Sequence, residues 1–263
     1  VGQLFMAGFI PGVLSALLYI AMIMVRTKLN PSLAGNTDVR SSWGEKWDAF
    51  KHIWPLPLLI GSVLGGIFMG IFSPTEAGAV GTTIAALIAF ARRTLTLAAI
   101  REALVSTAVS TASIFIILIG SLFFTRFLAM SGVPAAFSEI ILGVSTETWW
   151  IILAVAVIYL VLGMFIDSIG LLLLTLPLIL PLVEGADLNL IWFGIIVVKL
   201  LEVGLVTPPI GLNVYVIKGA LGNSVTLSEV FKGVTWFIVM DVVALLLIVL
   251  IPALSLYLPQ KMF

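Results

Sequence analysis

The sequence contains no cysteine, a single histidine (His52), and charged residues at only 10% of its positions. Without cysteine there are no disulfide bonds or thiolate metal sites, and one histidine leaves no His-based metal site or Ser-His triad. Lysine plus arginine and aspartate plus glutamate each number 13, so the zero net charge indicates no nucleic-acid partner. No phosphate-binding loop of the form G-x-x-x-x-G-K-S/T occurs. We therefore expect neither an enzyme nor a bound cofactor.

Hydrophobic residues make up 61% of the chain, and its mean hydropathy of +1.25 lies far above the range of soluble globular proteins. Such apolar runs predict an all-α integral membrane protein, because helices satisfy their own backbone polar groups in lipid. We predict an interfacial amphipathic helix over 41–52, and membrane spans over 4–25, 53–72, 73–91, 105–130 and 235–258. The chain begins with Val1 rather than methionine, so we expect it to be part of a longer polypeptide.

Two apolar arms, 149–165 and 169–182, flank the tripeptide Ile166-Asp167-Ser168. Asp167 is the only charged residue between positions 148 and 183. This pattern favours a re-entrant hairpin with Asp167 and Ser168 at its tip over two full spans. A charge at membrane depth usually has a function, so the tip either completes a cation or substrate site or caps the helix of the second arm. The two interpretations are compatible.

A second interruption, Thr207-Pro208-Pro209, separates the apolar helices 190–206 and 209–221. Two prolines remove two N–H donors and push the preceding residue out of the helical region. In lipid, the carbonyls so freed must face protein, an aqueous cavity or an ion. The pattern predicts a broken helix that offers Na⁺ oxygen ligands from Thr207, Pro208, Pro209, Gly211 and Asn213. The alternative is a simple proline kink between packed helices.

Three further polar features have both structural and functional interpretations. Lys199 and Glu202 are three residues apart on one helix and either pair with each other or contact a substrate. The motif Ser73-Pro74-Thr75-Glu76 has the pattern of a capping box at a helix start, with Ser73 and Thr75 lining a site as the alternative. Asp241 is expected near a span end, where it caps a helix or reaches the interface.

Three motifs together resemble the large membrane subunit of the TRAP transporters (tripartite ATP-independent periplasmic transporters). They are FSPTEAGAVG at 72–81, LGMFIDSIGLLLLTLPLILPLV at 162–183 and EVGLVTPPIGLNVYVIKG at 202–219. The resemblance runs over essentially the whole chain but corresponds to the C-terminal part of that subunit. The family's first hairpin, with a Gly-Ser-Ser tip, and its first Pro-Pro broken helix have no counterpart here. The family usually has threonine where Ser73 stands.

The resemblance implies a multi-span helical transporter of the elevator type in the bacterial inner membrane. Such a protein would be a Na⁺ symporter that imports organic acids, such as C4-dicarboxylates, keto acids, sugar acids or sialic acids. Its implied partners are a periplasmic substrate-binding protein and a small four-helix membrane subunit. Na⁺ would serve as the coupling ion, and no other cofactor is implied.

Carried over by position, the family's functional residues fall on the two interruptions. The resemblance implies that Na⁺ is held by Asp167, Thr207, Pro208, Gly211 and Asn213. It also implies that the substrate is contacted by Ser73, Thr75, Asp167, Ser168 and Asn213. The other half of the cavity would come from a preceding part of the subunit.

These assignments divide the chain into three regions. Residues 1–147 are expected to be mainly scaffold, with 73–91 lining the site, and 148–221 to form a transport unit of hairpin 149–182 and broken helix 190–221. Residues 222–263 would carry the last span. One alternative is a purely structural membrane subunit that transports nothing. Another is an intramembrane aspartyl protease using Asp167 with Asp241, although the residues before Asp167 lack a Gly-x-Gly-Asp context.

Overall fold

The computed structural model describes residues 2–34 and 42–262, and within them every regular element is a helix. The α-helices are α1 (Gly2–Leu29), α2 (Trp43–Ile53), α3 (Pro55–Phe68), α4 (Pro74–Ala91), α5 (Leu97–Ser131), α6 (Val133–Val144), α7 (Thr148–Gly163), α8 (Ser168–Gly185), α9 (Leu190–Val206), α10 (Leu212–Leu221), α11 (Leu227–Leu250) and α12 (Ala253–Met262). In that part of the chain, α1, α4, α5, α8 and α11 are long and apolar enough to cross a membrane. The predicted all-α, multi-span fold is confirmed.

The chain forms two compact units. The first contains Arg26–Ser113, which includes α2, α3 and α4, and the second contains Gln3–Val25 of α1 together with Ile114–Phe263. In the first unit, α2 matches the predicted amphipathic helix, although residue 41 and the preceding 35–40 lie outside the described residues. A capping box starts α2, since Ser42 and Glu45 exchange side-chain and backbone hydrogen bonds.

Helix α3 is shorter than the predicted span 53–72. Its 14 residues cover about 21 Å at a rise of about 1.5 Å per residue, which is less than the roughly 30 Å of a hydrocarbon core. The helix ends because Gly70 takes a positive φ of 68°. The N–H of Ile71 then donates to the carbonyl of Gly66 at 2.9 Å and that of Gly70 to Ile67 at 3.1 Å. This pair of bonds satisfies the last carbonyls of α3.

Helix α4 begins where the Ser-Pro-Thr-Glu pattern predicts. The N–H of Ser73 donates to the Glu76 carboxylate at 2.7 Å, and the N–H of Glu76 donates to the Ser73 hydroxyl at 3.3 Å. The capping box is therefore present, with Pro74 in the first turn. Helices α3 and α4 pack together as a hairpin within the first unit.

In the second unit, α9 lies at the centre of the core. It has more buried residues than any other described helix and packs against α7, α8, α10, α11 and α12. Tyr159 of α7, Leu171 of α8, Ile196 and Leu200 of α9 and Ile248 of α11 are fully buried in one apolar cluster. Helices α7, α8 and α9 thus share one packed core, from which the hairpin tip and the proline break extend.

The hairpin's second arm, α8, continues through Pro177 and Pro181 to Gly185. A proline removes the hydrogen bond to the carbonyl four residues earlier, so Pro177 frees the carbonyl of Leu173. The hydroxyl of Ser121, on α5, donates to that carbonyl at 2.8 Å. A side chain from another helix therefore supplies the missing donor, as is required where water is absent.

The predicted last span, 235–258, has the wrong bounds. Helix α11 starts at Leu227, where Thr226 and Glu229 form a capping box, and it ends at Leu250. Pro252 prevents the helix from continuing, because it lacks an N–H and disfavours helical geometry at Ile251. A separate helix, α12, follows from Ala253.

Candidate functional site

The hairpin tip lies between the end of α7 at Gly163 and the start of α8 at Ser168. The Asp167 carboxylate caps α8, because its Oδ1 accepts from the N–H groups of Ile169 at 2.9 Å and Gly170 at 3.2 Å. The capping interpretation of Asp167 is therefore observed. Its second oxygen, Oδ2, accepts no hydrogen bond from the residues that the structure describes, and the side chain is exposed. Oδ2 is thus free to face an ion.

The break between α9 and α10 has the geometry that its prolines require. Thr207 ends α9 in an extended conformation, with φ −84° and ψ 135°. Its hydroxyl donates to the carbonyl of Val203 at 2.6 Å, and its N–H donates to that of Gly204 at 3.1 Å. The Thr207 oxygen keeps its lone pairs for a further contact. The Pro208–Pro209 peptide bond is cis.

Gly211 lies on the inner side of this turn with a positive φ of 60°. A Cβ at this position would lie 3.2 Å from the carbonyl oxygens of both Val206 and Thr207. Two carbonyl oxygens therefore converge on one backbone position that only glycine adopts without strain. Carbonyl oxygens grouped in this way are the ligands that a hard cation such as Na⁺ prefers.

A close approach of two glycines joins the last residue of α7 to the last turn of α9. A Cβ on Gly204 would lie 2.9 Å from the Cα of Gly163 and 3.2 Å from its carbonyl carbon. Helices α7 and α9 are therefore in backbone contact one residue before the tip begins and three residues before Thr207. Along the chain, Asp167 follows this contact by four residues and Thr207 follows it by three.

Asn213 lies in the first turn of α10 and is exposed. Its side chain makes no hydrogen bond to the described residues, so its amide oxygen is available. Pro208 is also exposed at the surface of the turn. Ser73 and Thr75 belong to the other unit, where Ser73 accepts the capping bond from Glu76 and Thr75 is exposed.

Sequence reasoning missed a buried charged group next to this region. Asp241 does not lie at a span end as expected but in the interior of α11, where its side chain is 4% exposed. Its Oδ1 lies 2.6 Å from the ammonium of Lys199, which also contacts Glu202 at 2.8 Å. The predicted Lys199–Glu202 pair is therefore confirmed. Asp241 is the only charged residue of the predicted span 235–258, and a single charge in an apolar span indicates a partner of opposite charge.

The group adjoins a cavity of about 290 Å³ within the second unit, lined by Tyr19, Lys199 and Glu202 and by apolar residues of α1 and α9. The Tyr19 hydroxyl donates to Asp241. Lys199 is thus held by two carboxylates of the chain itself. Asp241 is bonded to Lys199 and Tyr19, whereas Asp167 caps α8, so the two aspartates do not form the facing pair of an aspartyl protease.

The helices define a polytopic membrane protein, and paired interruptions with buried charges are features typical of transporters. Residues 1–254 match the family model described as the DctM component of the tripartite ATP-independent periplasmic transporters. The chain belongs to this family and is a DctM-like large subunit of a TRAP transporter.

Three relatives show the range of the family. The chain is 32% identical over 264 residues to a C4-dicarboxylate TRAP transporter large permease of Rhodobacter capsulatus. The aligned region covers 99% of this chain and 58% of that protein. A sialic acid TRAP transporter permease of Haemophilus influenzae is 30% identical, with 99% of this chain and 42% of that protein covered. An ectoine TRAP transporter large permease of Halomonas elongata is 31% identical, with 100% and 61% covered. The chain therefore spans about half the length of these relatives.

Proposed function

We propose that this chain forms the second half of a Na⁺-coupled permease that imports an organic acid. The observation that supports the proposal is the contact of Gly163 with Gly204, from which the hairpin tip follows within four residues and the break of α9 and α10 within three. Carbonyl oxygens at the end of α9 and the free Oδ2 of Asp167 offer a cation site. The first turn of α10, which no side chain caps, directs N–H groups and the positive end of its dipole toward an anion.

Within this proposal, each candidate residue has a defined task. Na⁺ is bound by Asp167, Thr207, Pro208, Gly211 and Asn213, and within the second unit the organic acid is contacted by Asp167, Ser168 and Asn213. Na⁺ offsets the negative charge of the substrate, which is costly at membrane depth. At about 2.3 kcal/mol per charge per 100 mV, an excess of Na⁺ over substrate charge couples import to the membrane potential.

The proposal includes the partners and location of the complete transporter. A periplasmic binding protein delivers the substrate, and a small four-helix membrane subunit supports the large subunit in the bacterial inner membrane. The hairpin and broken helix move together as an elevator. The substrate names of the relatives, which include C4-dicarboxylate, sialic acid and ectoine, support a small polar metabolite. Among these, the organic acids fit a site that combines a cation with the N-terminus of α10.

The test is uptake of radiolabelled organic acids into proteoliposomes that contain the full-length subunit, its small partner and the binding protein. An inward Na⁺ gradient is compared with an equal K⁺ gradient. Thr207→Val removes the hydroxyl at constant shape, and Asn213→Ala removes the amide. Thr235→Val is the matched control, because the Thr235 hydroxyl also bonds a carbonyl four residues earlier, at 2.9 Å, but lies on α11.

We expect uptake that requires both Na⁺ and the binding protein. We also expect it to fall at least tenfold in the Thr207 and Asn213 variants, with Thr235→Val unchanged, since each variant removes an oxygen ligand from the proposed site. Uptake that is equal in K⁺ would contradict Na⁺ coupling. A subunit that assembles with its partners but supports no uptake of any acid would favour the purely structural role.

A further inference from the structure

The ion pair between Lys199 and Asp241 joins three helices of the second unit. The ammonium of Lys199 on α9 lies 2.6 Å from Oδ1 of Asp241 on α11, and Tyr19 of α1 donates a hydrogen bond to the same oxygen. The two charged side chains are only 7% and 4% exposed. The ammonium also lies 2.8 Å from Glu202, so the group carries two carboxylates for one lysine.

A second polar tie joins α9 to α11 at a matching position. The indole N–H of Trp192 donates to the carbonyl of Ile248 at 2.9 Å, and this bond is buried. Trp192 lies seven residues before Lys199 on α9, and Ile248 lies seven residues after Asp241 on α11. The ties are therefore two turns apart, about 10.5 Å along both antiparallel helices. Together they fix one register of α9 against α11, because a slip of one turn would break both.

Stability alone does not account for a buried ion pair. Removing two charges from water costs as much as their attraction returns, and apolar residues of similar volume often serve as well. A buried polar pair can instead specify one register between two helices, as a single buried asparagine does in coiled coils. Lys199 lies on α9, the helix that leads to the break, so the register of α9 affects the position of the break.

The geometry of the break depends on the positions of both α9 and α11. Thr207 follows Lys199 by eight residues, about 12 Å along α9. On its other side, Gly211 lies against the ring of Phe231 of α11, at 3.2 Å from a Cβ placed on the glycine. The turn is thus held at one end by α9 and at the other by α11. Its carbonyl geometry follows from the register between those two helices.

We propose that Lys199 and Asp241, held by Tyr19, are positioning residues of the transport site. They fix α9 against α11 and so set the arrangement of the Thr207–Gly211 oxygens that receive Na⁺. This inference rests on the Na⁺-coupled transport proposed above. It assigns to the buried charges neither substrate nor Na⁺ contact.

The first experiment measures the Na⁺ concentration for half-maximal uptake, and separately the maximal rate, in the reconstituted full-length transporter. The single variants are Lys199→Met and Asp241→Asn. Lys218→Met is the matched control, because that lysine lies on the far arm of the broken helix and donates to the carbonyl of Gly222. We expect each single variant to raise the half-maximal Na⁺ concentration on the order of tenfold, because it leaves a buried charge without its partner. Lys218→Met should leave it unchanged.

Two combined variants separate positioning from simple packing. The pair Lys199→Met with Asp241→Leu removes both charges, so it should assemble normally but still require about tenfold more Na⁺, because the Trp192 bond alone then holds the register. The exchanged pair, Lys199→Asp with Asp241→Lys, is combined with Glu202→Gln so that no second carboxylate lies beside position 199. It should return within about threefold of the wild type, because opposite charges again face each other. Wild-type Na⁺ dependence in the apolar pair would overturn the proposal.

A second measurement does not depend on Na⁺ coupling. The chain has no cysteine, so cysteines introduced at Ile196 and Ala244 report on the register. Both positions are fully buried and lie between the two ties on the facing sides of α9 and α11. Oxidation should cross-link them in the otherwise wild-type full-length subunit, with any cysteine elsewhere in it replaced by serine. The off-register control pair, Ile196 with Met240, should cross-link slowly.

We expect Lys199→Met to slow the first cross-link at least threefold and to accelerate the second. Unchanged cross-linking of both pairs would refute the register argument, whatever the uptake shows. If uptake proves independent of Na⁺ while the cross-links respond as expected, the proposed function fails but the positioning of α9 by Lys199 and Asp241 stands. The two failures are thereby distinguishable.

Discussion

Gly204 has no room for a side chain, and Gly204→Ala should therefore push α9 away from α7. The added Cβ would lie 2.9 Å from the Cα of Gly163, 3.2 Å from its carbonyl carbon and 3.4 Å from the carbonyl oxygen of Tyr159. All three neighbours are backbone atoms, which move only with their helix. Since carbon atoms approach to about 3.5–4.0 Å, the helices must separate by about 0.6 Å or more.

Overpacking of this kind costs about 1–3 kcal/mol of unfolding free energy. The matched control is Gly219→Ala on α10, where nothing lies within 4 Å of the added Cβ. There, the better helix propensity of alanine should stabilise the protein by up to about 1 kcal/mol. The two Gly→Ala changes should thus shift the unfolding free energy in opposite directions. Thermal unfolding of the purified full-length subunit in detergent measures the difference.

The same substitution should weaken Na⁺ binding, because the hairpin tip moves with α7 and the break moves with α9. We expect a lower unfolding temperature for Gly204→Ala together with a higher half-maximal Na⁺ concentration for uptake. Gly219→Ala should show neither effect. If Gly204→Ala were as stable as Gly219→Ala and kept wild-type Na⁺ dependence, the close approach of α7 and α9 would not be what forms the site.

Three further substitutions test single contacts by thermal unfolding of the same subunit. Ser121→Ala should destabilise by about 1–3 kcal/mol, since it leaves the partly buried Leu173 carbonyl without a donor, and a wild-type unfolding temperature would contradict this. Tyr159→Phe should cost about 0.5–1.5 kcal/mol of unfolding free energy, because the Tyr159 hydroxyl lies 2.8 Å from that of Thr175. Adding Thr175→Val to Tyr159→Phe should cost little more. Additive losses would show that the two side chains act separately. Asp167→Asn should keep the cap of α8 and so cost less than about 0.5 kcal/mol, whereas Asp167→Ala should cost about 1 kcal/mol. Equal losses for the two would exclude the capping contribution.

Features determined by local chemistry were predictable from the sequence. The capping box of Ser73 and Glu76, the break at Thr207 and the hairpin turn at Asp167 each depend on residues a few positions apart. Proline and cap chemistry act at that range. The same rules applied to Pro252 would have ended α11 at the observed place, but the long apolar run around it favoured a continuous span.

Long-range pairings could not be read in the same way. Asp241 lies 42 residues from Lys199 and Ser121 lies 52 residues from Leu173, so neither partner is implied by helical spacing. The contact of Gly163 with Gly204 is similar, because each glycine alone is compatible with an ordinary helix. Such pairs are set by which helix faces meet in the folded core.

The most direct test asks whether Na⁺ changes the hairpin tip. Phe165 lies in the tip and its side chain is 54% exposed, so Phe165→Cys places a thiol beside the proposed ion without replacing a ligand. Its alkylation rate would be measured in Na⁺ and in K⁺, with Leu190→Cys at the opposite end of α9 as the control. Any cysteine elsewhere in the full-length subunit would be replaced by serine.

We expect Na⁺, but not K⁺, to slow alkylation of Phe165→Cys severalfold, because a bound ion orders the tip against the break. Adding Thr207→Val should abolish this protection, and Leu190→Cys should react equally in both salts. Equal rates in Na⁺ and K⁺ at Phe165→Cys would contradict a Na⁺ site formed by the hairpin tip and the broken helix.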